Sequence, residues 1–341
     1  MISRKNKLKR TLGQLGERGF IKKILPTKSS RLSASFLVPP GDDAAILKNV
    51  GRSVLSIDGI TEETHFKWSW DRRCREWADI SLGRALGWKL MGASLSDLAA
   101  MGKTRSRWAM IYLGAPGRTP VNFLSELQLG VKETALKYDC ALAGGDTVKA
   151  RDLSLVAAVG GDSFGQRPLL RSGAKPGDLL CVAGTVGDAA VGLRVLQGKL
   201  RGISPHDRTF FIRRFFQHEP MFRAGALLAE EPHVTSSIDL SDALKDSIEI
   251  IGDASKVGAQ VFIENIPVSS SYRRVCSVGP SLLTGGEDYS LLFTLRAPAL
   301  ARLRKKLSFS VIGYVCPLSH GIRYLYRGRS LKAPKSFQHF S

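Results

Sequence analysis

The sequence predicts an α+β or α/β protein in two halves, because strand-like and helix-like segments alternate along the chain. Apolar, strand-like runs such as Arg107–Leu113 and Leu179–Val182 recur between segments with helical spacing. The longest helical pattern, Trp77–Met101, repeats its apolar residues every three or four positions. Three glycines inside it lower helix propensity but permit close packing against a neighbour: Gly83, Gly87 and Gly92. A chain of 341 residues with 43% hydrophobic content can bury one large core or two of ordinary size.

The first half is expected to begin with a basic tail and a short amphipathic helix at Leu15–Leu25, ended by Pro26. The apolar run Ser53–Ile57 then indicates a buried strand that places Asp58 at its end. Further elements are expected in the order strand Arg107–Leu113, helix Val121–Tyr138 and strand Leu153–Val159.

A change of composition near residue 164 separates the two halves. The segment Gly160–Gly165 and the PLLRSGAKPGD that follows shortly after are rich in Gly, Pro and Ser, which is typical of a loop between domains. We therefore divide the chain into a basic tail with an N-terminal helix (1–30), an N-terminal domain (31–163) and a C-terminal α/β domain (164–341). The second half is expected to contain a strand at Leu179–Val182, helices at Ala189–Leu200, Phe210–Phe216 and Phe222–Glu231, a strand in VTSSIDL, a helix from Ser241 or Asp242 to about Ile251, and strands at Ala259–Ile263 and Tyr289–Leu295.

Composition and charge limit the classes of function. The formal net charge is +20, but the basic residues match no nucleic-acid-binding module, so a nucleic-acid partner is not expected. Five scattered cysteines without a CxxC pair argue against a disulfide framework or zinc site and favour a cytoplasmic location. No apolar run approaches the roughly 18 residues of a membrane helix. Because no apolar region follows the basic MISRKNKLKR, we expect a solvated tail rather than a secretory signal, with an organelle transit peptide as the alternative.

Acidic residues recur where apolar segments end, beside glycine or another small residue. Glycine pairs let a backbone approach a phosphate, and neighbouring aspartates supply the hard oxygen ligands that Mg²⁺ on a nucleotide prefers. Taken singly, Asp239 or Ser241 could merely cap the following helix, and Asp97 could be a buried hydrogen-bond acceptor. Five such motifs together indicate a site for a Mg²⁺-bound nucleotide: GDDAAIL (41–47), LSID (55–58), LAGGDTV (142–148), SIDLSDAL (237–244) and LTGGEDY (283–289).

Several common enzyme signatures do not occur in the sequence. It contains no GxxxxGK[ST] phosphate loop, no GxGxxG before a helix and no HRD or DFG motif of protein kinases. Phosphoryl transfer depends mainly on positioning and charge stabilisation, so Asp-held Mg²⁺ ions with one arginine, Arg171 of RSGAKPGD, would suffice. His65, which follows Asp58 by seven residues, is either a structural hydrogen-bonding residue or part of this site.

Taken in order, the motifs resemble those of the thiamine-monophosphate kinase family, whose superfamily includes aminoimidazole ribonucleotide synthetase and selenophosphate synthetase. The matching motifs are GDDAAIL, SID followed by THF, SLSDLAAMG, AGGDTV, RSGAKPGD with GTVGDAAVGL, SIDLSDAL and LTGGEDYSLLFT. LGERGFIKKIL and the terminal SFQHF resemble the family's ends, so the match spans nearly the whole chain. The resemblance implies a PurM-like α+β architecture, in which a β-rich N-terminal half pairs across a homodimer into a barrel and a C-terminal α/β half packs against it.

The resemblance also implies a reaction, in which ATP phosphorylates thiamine monophosphate directly and in line to give thiamine diphosphate. ATP would be the co-substrate and would bind with several Mg²⁺ ions in a cleft between the halves, with residues 31–163 as the ATP- and Mg²⁺-binding domain. The attacking group is the substrate's own phosphate, so no strong general base is implied. No membrane partner is expected.

The resemblance assigns roles residue by residue. The Mg²⁺ ligands would be Asp43, Ser56, Asp58, Asp97, Asp146, Asp239 and Asp242. The ATP contacts would be Gly145, Arg171 and Ser241, with Arg171 neutralising phosphate charge. The contacts to thiamine monophosphate would be His65, Glu287 and Phe337, the last by stacking on a heteroaromatic ring. Three further acidic residues of the stretch 38–66, Asp42, Glu62 and Glu63, are expected in turn and surface roles.

Three departures from the family pattern stand out. Ile57 replaces a residue that usually carries a hydroxyl, which leaves only its backbone carbonyl as a possible ligand. KWSWDRRCREW (67–77) is extra and is expected to form a longer loop at the cleft. Asp242-Ala243-Leu244 replaces the usual Asp-Gly-Leu. The alternatives are a sister enzyme of the superfamily acting on another substrate, which GGEDY and SIDLSDAL fit less well, and a non-catalytic, nucleic-acid-binding descendant.

Overall fold

Two β-sheets with helices packed against them make up the described part of the protein. The structure, a computed structural model, describes residues 36–38, 42–47, 52–164 and 167–337. The expected basic tail and Leu15–Leu25 helix lie outside these residues, as do Gly41 of the first acidic motif and Gly165. Among the described residues, none of the helices is long and apolar enough to cross a membrane.

The N-terminal sheet consists of β1 (Phe36–Val38), β2 (Ala45–Leu47), β3 (Ser53–Thr61), β4 (Thr104–Ala115), β5 (Ala141–Lys149) and β6 (Ser154–Ser163). Its strand order is β1-β2-β3-β6-β4-β5, and every pair is antiparallel except β4–β5. One face is buried, because alternate side chains such as Val54, Ala109 and Leu155 point into the core. β5 forms an edge, and all of its residues are exposed.

α2 (Leu82–Ala100) packs on the buried face of this sheet, and α3 (Val121–Lys137) packs along α2. α1 (Asp71–Ala78), which follows a 3₁₀ turn at Trp68–Trp70, packs mainly against residues 205–216 of the C-terminal half. The prediction of one continuous helix over Trp77–Met101 was wrong at its start, because Leu82–Ala100 is helical as predicted but the chain breaks between α1 and α2. Asp79 ends α1 in a left-handed conformation (φ 51°), and the Ser81 side chain accepts from Arg84 N to cap α2. The predicted loop at 67–77 was likewise wrong, since most of it forms the 3₁₀ turn and α1.

α2 is a central helix that is buried on nearly all sides, between the sheet and the other helices. Its predicted close packing is confirmed at two glycines that face α3. A Cβ on Gly83 would lie 2.5 Å from the Phe123 carbonyl oxygen, and a Cβ on Gly87 would lie 2.4 Å from that of Leu127. Only glycine allows the two backbones to approach this closely.

The C-terminal sheet consists of β7 (Leu179–Ala183), β8 (Val234–Asp239), β9 (Val257–Phe262), β10 (Leu291–Leu295), β11 (Ser310–Pro317), β12 (Ile322–Tyr326) and β13 (Arg329–Leu331). Its order is β13-β12-β9-β11-β7-β10-β8, and only the β12–β9 pair is parallel. The helices are α4 (Asp188–Leu196), α5 (Pro205–Phe216), α6 (Phe222–Glu230), α7 (Leu244–Ser255), α8 (Ser270–Val275) and α9 (Leu300–Arg304). The mixed α+β class predicted from the sequence is confirmed.

Several predicted boundaries differ from the structure. β3 continues past Asp58 to Thr61, because its backbone stays paired with β6 along its whole length. Gly160 to Ser163 belong to β6 and are not loop. α7 begins at Leu244 after Ala243, and no side chain caps it, so the proposed capping role of Asp239 or Ser241 was wrong.

Candidate active site

A cleft of about 1000 Å³ lies between the two halves of the protein. Asp58 of β3 and Asp97 of α2 line it on the N-terminal side. Ser241 and Glu287, from the loops next to β8 and β10, line it on the C-terminal side. Acidic motifs that are far apart in the sequence therefore meet in one cavity.

Three carboxylates meet where Asp97 lines the cleft: Asp43, Asp97 and Asp239. Each offers one oxygen, and these oxygens all lie within 4.8 Å of one another. Oδ2 of Asp43 is buried and has no hydrogen-bond partner among the described residues. Buried carboxylates are unfavourable unless a cation or donors compensate them, and Mg²⁺ prefers oxygen ligands of this kind. The donor set therefore fits a Mg²⁺ ion.

Burial and mutual repulsion make this cluster electrostatically unusual. Desolvation raises the pKa of Asp97 well above its ordinary value, and the charges of Asp239 and Asp58 add to the shift. Burial also raises the pKa of Asp43, although the Arg171 guanidinium offsets part of it. Burial raises the pKa of Asp58 to about 6 against the opposing hydrogen bond that Gly59 N donates to Oδ1. A bound cation would lower all three values by favouring the ionised forms.

Serine hydroxyls orient two of the three carboxylates. Ser56 Oγ donates to Asp97 Oδ2. Ser96 Oγ donates to Asp239 Oδ2 over 2.7 Å, and Ser241 Oγ donates to Asp239 Oδ1 over 3.1 Å. Because Ser96 and Asp97 are adjacent on α2, this helix holds one carboxylate of the cluster and orients another. Ser56 and Ser241 therefore lie beside the acids, as the motif resemblance implied.

Ile57 does not face the acidic cluster. Neighbouring side chains on a strand point to opposite faces, so Ser56 and Asp58 share the core face of β3 and Ile57 lies on the other. Consistent with this, 68% of Ile57 is exposed. A hydroxyl on this side chain would point away from Asp97. Within one chain, the change to isoleucine leaves the cluster intact.

Arg171 lies within the site and already has acidic partners. Its Nε donates to Asp43 Oδ1 over 2.9 Å. Its backbone N–H lies 3.1 Å from both oxygens of Asp42, which is half-buried. The expected turn role of Asp42 was therefore incomplete, since this side chain fixes the segment that carries Arg171. The other two acids have local roles: Glu62 accepts from Leu153 N over 2.9 Å, and Glu63 pairs with Lys67 at the surface.

Hydrogen bonds join the GGEDY loop to the SIDLSDAL loop. Glu287 N donates to Ser241 O over 2.8 Å, and Tyr289 N donates to Leu240 O over 3.0 Å. Asp288 accepts from Gly187 N over 2.7 Å and from Ala189 N over 3.1 Å at the start of α4. Burial raises the pKa of Asp288 to about 7 despite these donors. The two loops and α4 therefore form one connected wall of the cleft.

The other expected contacts divide into two groups. His65, Asp242 and Phe337 line the cleft with Glu287, as the resemblance implied. Asp146 and Gly145 lie on the exposed edge strand β5 instead. In the strand register, Asp58 of β3 lies opposite Ala157 of β6, and Ile111 of β4 lies opposite both Ala157 and Gly145 of β5. Asp58 and Gly145 are therefore three strand spacings, or about 14 Å, apart. A single chain therefore does not bring Asp146 to the three-carboxylate cluster.

A buried group behind the cleft wall was not predicted from the sequence. Lys89 of α2 is 1% exposed and pairs with Glu287 over 2.5 Å. Phe215 of α5 and Tyr289, which packs on His218, line the cleft beside this pair. One signal was available in the sequence, because Lys89 lies seven and eight residues before Ser96 and Asp97. That spacing places the lysine on the same helix face as the two site residues.

Comparisons with known proteins agree with this geometry. Residues 41–163 match the sequence model of the family described as "AIR synthase related protein, N-terminal domain". The chain is 32% identical over 327 residues to the thiamine-monophosphate kinase of Salmonella typhimurium, covering 92% of this chain and 94% of the relative. It is 31% identical over 301 residues to that of Mycobacterium tuberculosis, covering 86% and 85%.

The fold is similar to the solved structure "AaThiL complexed with AMPPCP and TMP". The TM-score is 0.78 at 26% sequence identity, and the match covers 97% of this chain and 99% of that chain. The order of the motifs and the α+β fold therefore agree with the identity to curated relatives along most of the chain. This chain belongs to the thiamine-monophosphate kinase family.

Proposed function

We propose that this chain transfers a phosphoryl group from ATP to thiamine monophosphate, forming ADP and thiamine diphosphate. Family membership supports this reaction, as does the similarity to a protein complexed with AMPPCP and TMP. The observation that carries it in this chain is the cluster of Asp43, Asp97 and Asp239, with its buried, unsatisfied Asp43 oxygen. This donor set suits a divalent cation held against phosphate oxygens.

We assign separate groups of residues to Mg²⁺ and to ATP. The proposed Mg²⁺ ligands are Asp43, Ser56, Asp58, Asp97, Asp146, Asp239 and Asp242. When bound, Mg²⁺ supplies the positive charge that stabilises negative charge on the transferring phosphoryl group. Arg171 exchanges its Asp43 contact for a phosphate oxygen, while Ser241 and Gly145 contact the nucleotide. Ser96 and Ser56 keep the carboxylates of Asp239 and Asp97 in position.

The acceptor binds on the other side of the same cleft. We assign Glu287, His65 and Phe337 to it, because all three line the cavity. Phe337 offers an exposed ring for stacking, and Glu287 offers a carboxylate for a ring donor. The attacking phosphate oxygen is already ionised near neutral pH, so no residue has to remove a proton. Alignment and charge neutralisation then account for the rate.

The reaction has a direct test. Purified protein is incubated with ATP, Mg²⁺ and thiamine monophosphate, and thiamine diphosphate is measured by chromatography. We expect product from the wild type and at least about a hundredfold less from Asp97→Asn, which removes a cluster charge. Release of ADP with another acceptor, but not with thiamine monophosphate, would identify a sister enzyme of the superfamily. No product at any tested pH or Mg²⁺ concentration contradicts the proposal.

We also propose a homodimer in which the N-terminal sheets of two copies form one barrel. The outer face of the sheet exposes Ile57 (68%) and Met110 (47%). Both lie opposite Ala158 of β6, so the three residues form one row across neighbouring strands. The edge strand β5 exposes Leu142 (40%) and Val148 (37%). Apolar side chains beside an open strand edge favour association with another sheet. A monomer at micromolar concentration in analytical ultracentrifugation would contradict the dimer.

In this dimer, Asp146 of each copy serves the site of the other copy. Its place on the exposed edge strand, far from Asp58 of the same chain, supports this assignment. Co-expression of Asp58→Asn with Asp146→Asn tests it. With equal expression, half of the dimers contain one chain of each variant. If Asp146 acts across the interface, each such mixed dimer has one intact site out of two, so about a quarter of wild-type activity returns. If it acts within its own chain, no activity returns.

Two further assignments complete the proposal. We propose a cytoplasmic location. The five free cysteines support it, because unpaired thiols are typical of a reducing compartment. We also keep the division into residues 31–163 and 164–341, which the family match ending at residue 163 supports.

A further inference from the structure

Lys89 is a buried cation that none of the roles above uses. Its Nζ lies 2.5 Å from Glu287 Oε1 and 3.2 Å from the Phe215 carbonyl oxygen. The same ammonium lies over the Phe215 ring at 3.9 Å from the centroid. Of these three residues, Glu287 and Phe215 line the cleft, and Lys89 lies behind them with 1% of its side chain exposed.

The position of Lys89 is unfavourable for stability alone. Burial lowers the pKa of Lys89, although the Glu287 carboxylate opposes the shift. An apolar side chain of similar length would fill the same space on α2 without desolvating a charge. A buried ion pair that is not needed for packing therefore indicates a role in placing one of its two partners.

Of the two partners, Glu287 lines the cleft, and its carboxylate is the group whose position matters for a ligand. Its backbone has φ 66°, in the left-handed region that residues other than glycine rarely adopt. Its backbone is held on one side by Ser241 O, and the adjacent Asp288 is held by the start of α4. Lys89 is the side-chain contact that fixes the carboxylate itself, at Oε1. Oε2 then remains to accept a hydrogen bond from a ligand in the cleft.

We propose that Lys89 is a positioning residue, which holds the Glu287 carboxylate so that it accepts a hydrogen bond from an N–H donor on the acceptor's heteroaromatic amine. This inference rests on the proposed function. Lys89 acts through Glu287 and does not touch substrate. It therefore governs affinity for the phosphate acceptor, and it reaches the ATP side of the cleft only through its charge near Asp58.

A double-mutant cycle tests the inference, with Lys89→Met, Glu287→Gln and the double variant. Lys89→Met should raise KM for thiamine monophosphate by about tenfold or more, the loss of one well-placed charged hydrogen bond, and change KM for ATP less than about twofold. In the Glu287→Gln background, Lys89→Met should change KM for the acceptor by less than about twofold. A merely structural role would produce the same loss in both backgrounds.

Two further variants keep the test decisive. Lys89→Gln retains an N–H donor without the charge, so it should raise KM for the acceptor less than Lys89→Met does, and it replaces Lys89→Met in the cycle if that variant does not fold. Lys245→Met removes another lysine, 20% exposed, that pairs with Asp246 and Glu249, and it should leave both KM values unchanged.

The outcomes separate the two proposals. Additive losses in the cycle, or a KM for ATP that rises together with KM for the acceptor, would overturn the role of Lys89 and leave the proposed function intact. A wild type that makes no thiamine diphosphate would overturn the proposed function and the role of Lys89 with it.

Discussion

Arg171 of the C-terminal half donates from Nε to Oδ1 of Asp43 in the N-terminal half over 2.9 Å. The same guanidinium is our proposed contact to ATP, so phosphate and Asp43 compete for it. Burial raises the pKa of Asp43, and the Arg171 charge is what partly offsets the rise. Removal of this charge should therefore affect the metal and the nucleotide in opposite directions.

Arg171→Met should strengthen the binding of Mg²⁺ in the absence of nucleotide and weaken the binding of ATP. The cluster loses a competing cation, so the Mg²⁺ concentration at half-saturation should fall several-fold. KM for ATP should rise about tenfold or more, because a charged hydrogen bond to phosphate is lost. Titration of the melting temperature with Mg²⁺ and steady-state kinetics measure the two effects. Arg302→Met, which breaks the pair between the exposed Arg302 and the buried Glu231, is the control and should change neither value.

Binding of Mg²⁺ should weaken as pH falls. Burial raises the pKa of Asp58 to about 6 and that of Asp97 well above its ordinary value, so protons compete with the ion for these oxygens. Apparent affinity should fall by up to about tenfold per pH unit for each proton displaced. The increase in melting temperature on adding Mg²⁺ should be larger at about pH 8 than at about pH 5.5. An equal increase at both values would contradict this, and Asp97→Asn should show little increase at either.

Local patterns predicted most elements of the fold, but not the places where one element stops and another starts. The apolar spacing continues in phase across Asp79 and Ser81, so periodicity alone joined α1 to α2. The signals for the break are a left-handed residue and a serine cap, which also occur in loops and surfaces. The helix at Val121–Lys137 lacked such an interruption, and its prediction was accurate.

Sequence motifs identified candidate site residues, but they did not reveal which of these residues lie together. Asp97 and Asp239 lie in matching motifs, and the structure brings their oxygens together as the resemblance implied. Asp146 lies in an equally clear motif, yet its distance from Asp58 depends on strand order, which no local segment encodes. The pairing of Lys89 with Glu287 depends on how α2 meets the C-terminal half, so tertiary packing alone reveals it.

Asp288 should make stability decrease with rising pH. Its folded pKa of about 7 lies above the value of about 3.9 expected for an unfolded chain, so the folded state binds more protons between these values. The contribution of Asp288 is therefore most favourable below about pH 4 and is lost as pH rises through about 7.

Comparison of Asp288→Asn with the wild type isolates this effect. The variant cannot ionise and loses one acceptor for the N–H groups of α4, so it should be less stable than wild type at about pH 5, and the deficit should shrink by about pH 8. Urea denaturation without Mg²⁺ measures both. Asp207→Asn is the control, since hydrogen bonding to Arg274 lowers the pKa of Asp207 and its loss should be similar at both pH values. A deficit for Asp288→Asn that grows with pH would contradict the linkage.

Gly87→Ala should destabilise the protein although alanine is the better helix former. A Cβ at this position would lie 2.4 Å from the Leu127 carbonyl oxygen, which belongs to the backbone of α3 and can move only if the two helices separate. The gain in helix propensity of about 1 kcal/mol is smaller than the repulsion, and the net loss should be about 1–3 kcal/mol. Urea denaturation measures it. Gly117→Ala is the matched control, because nothing lies within 4 Å of its Cβ position, and it should change stability by less than about 0.5 kcal/mol. A stable Gly87→Ala would show that α2 and α3 are not in backbone contact.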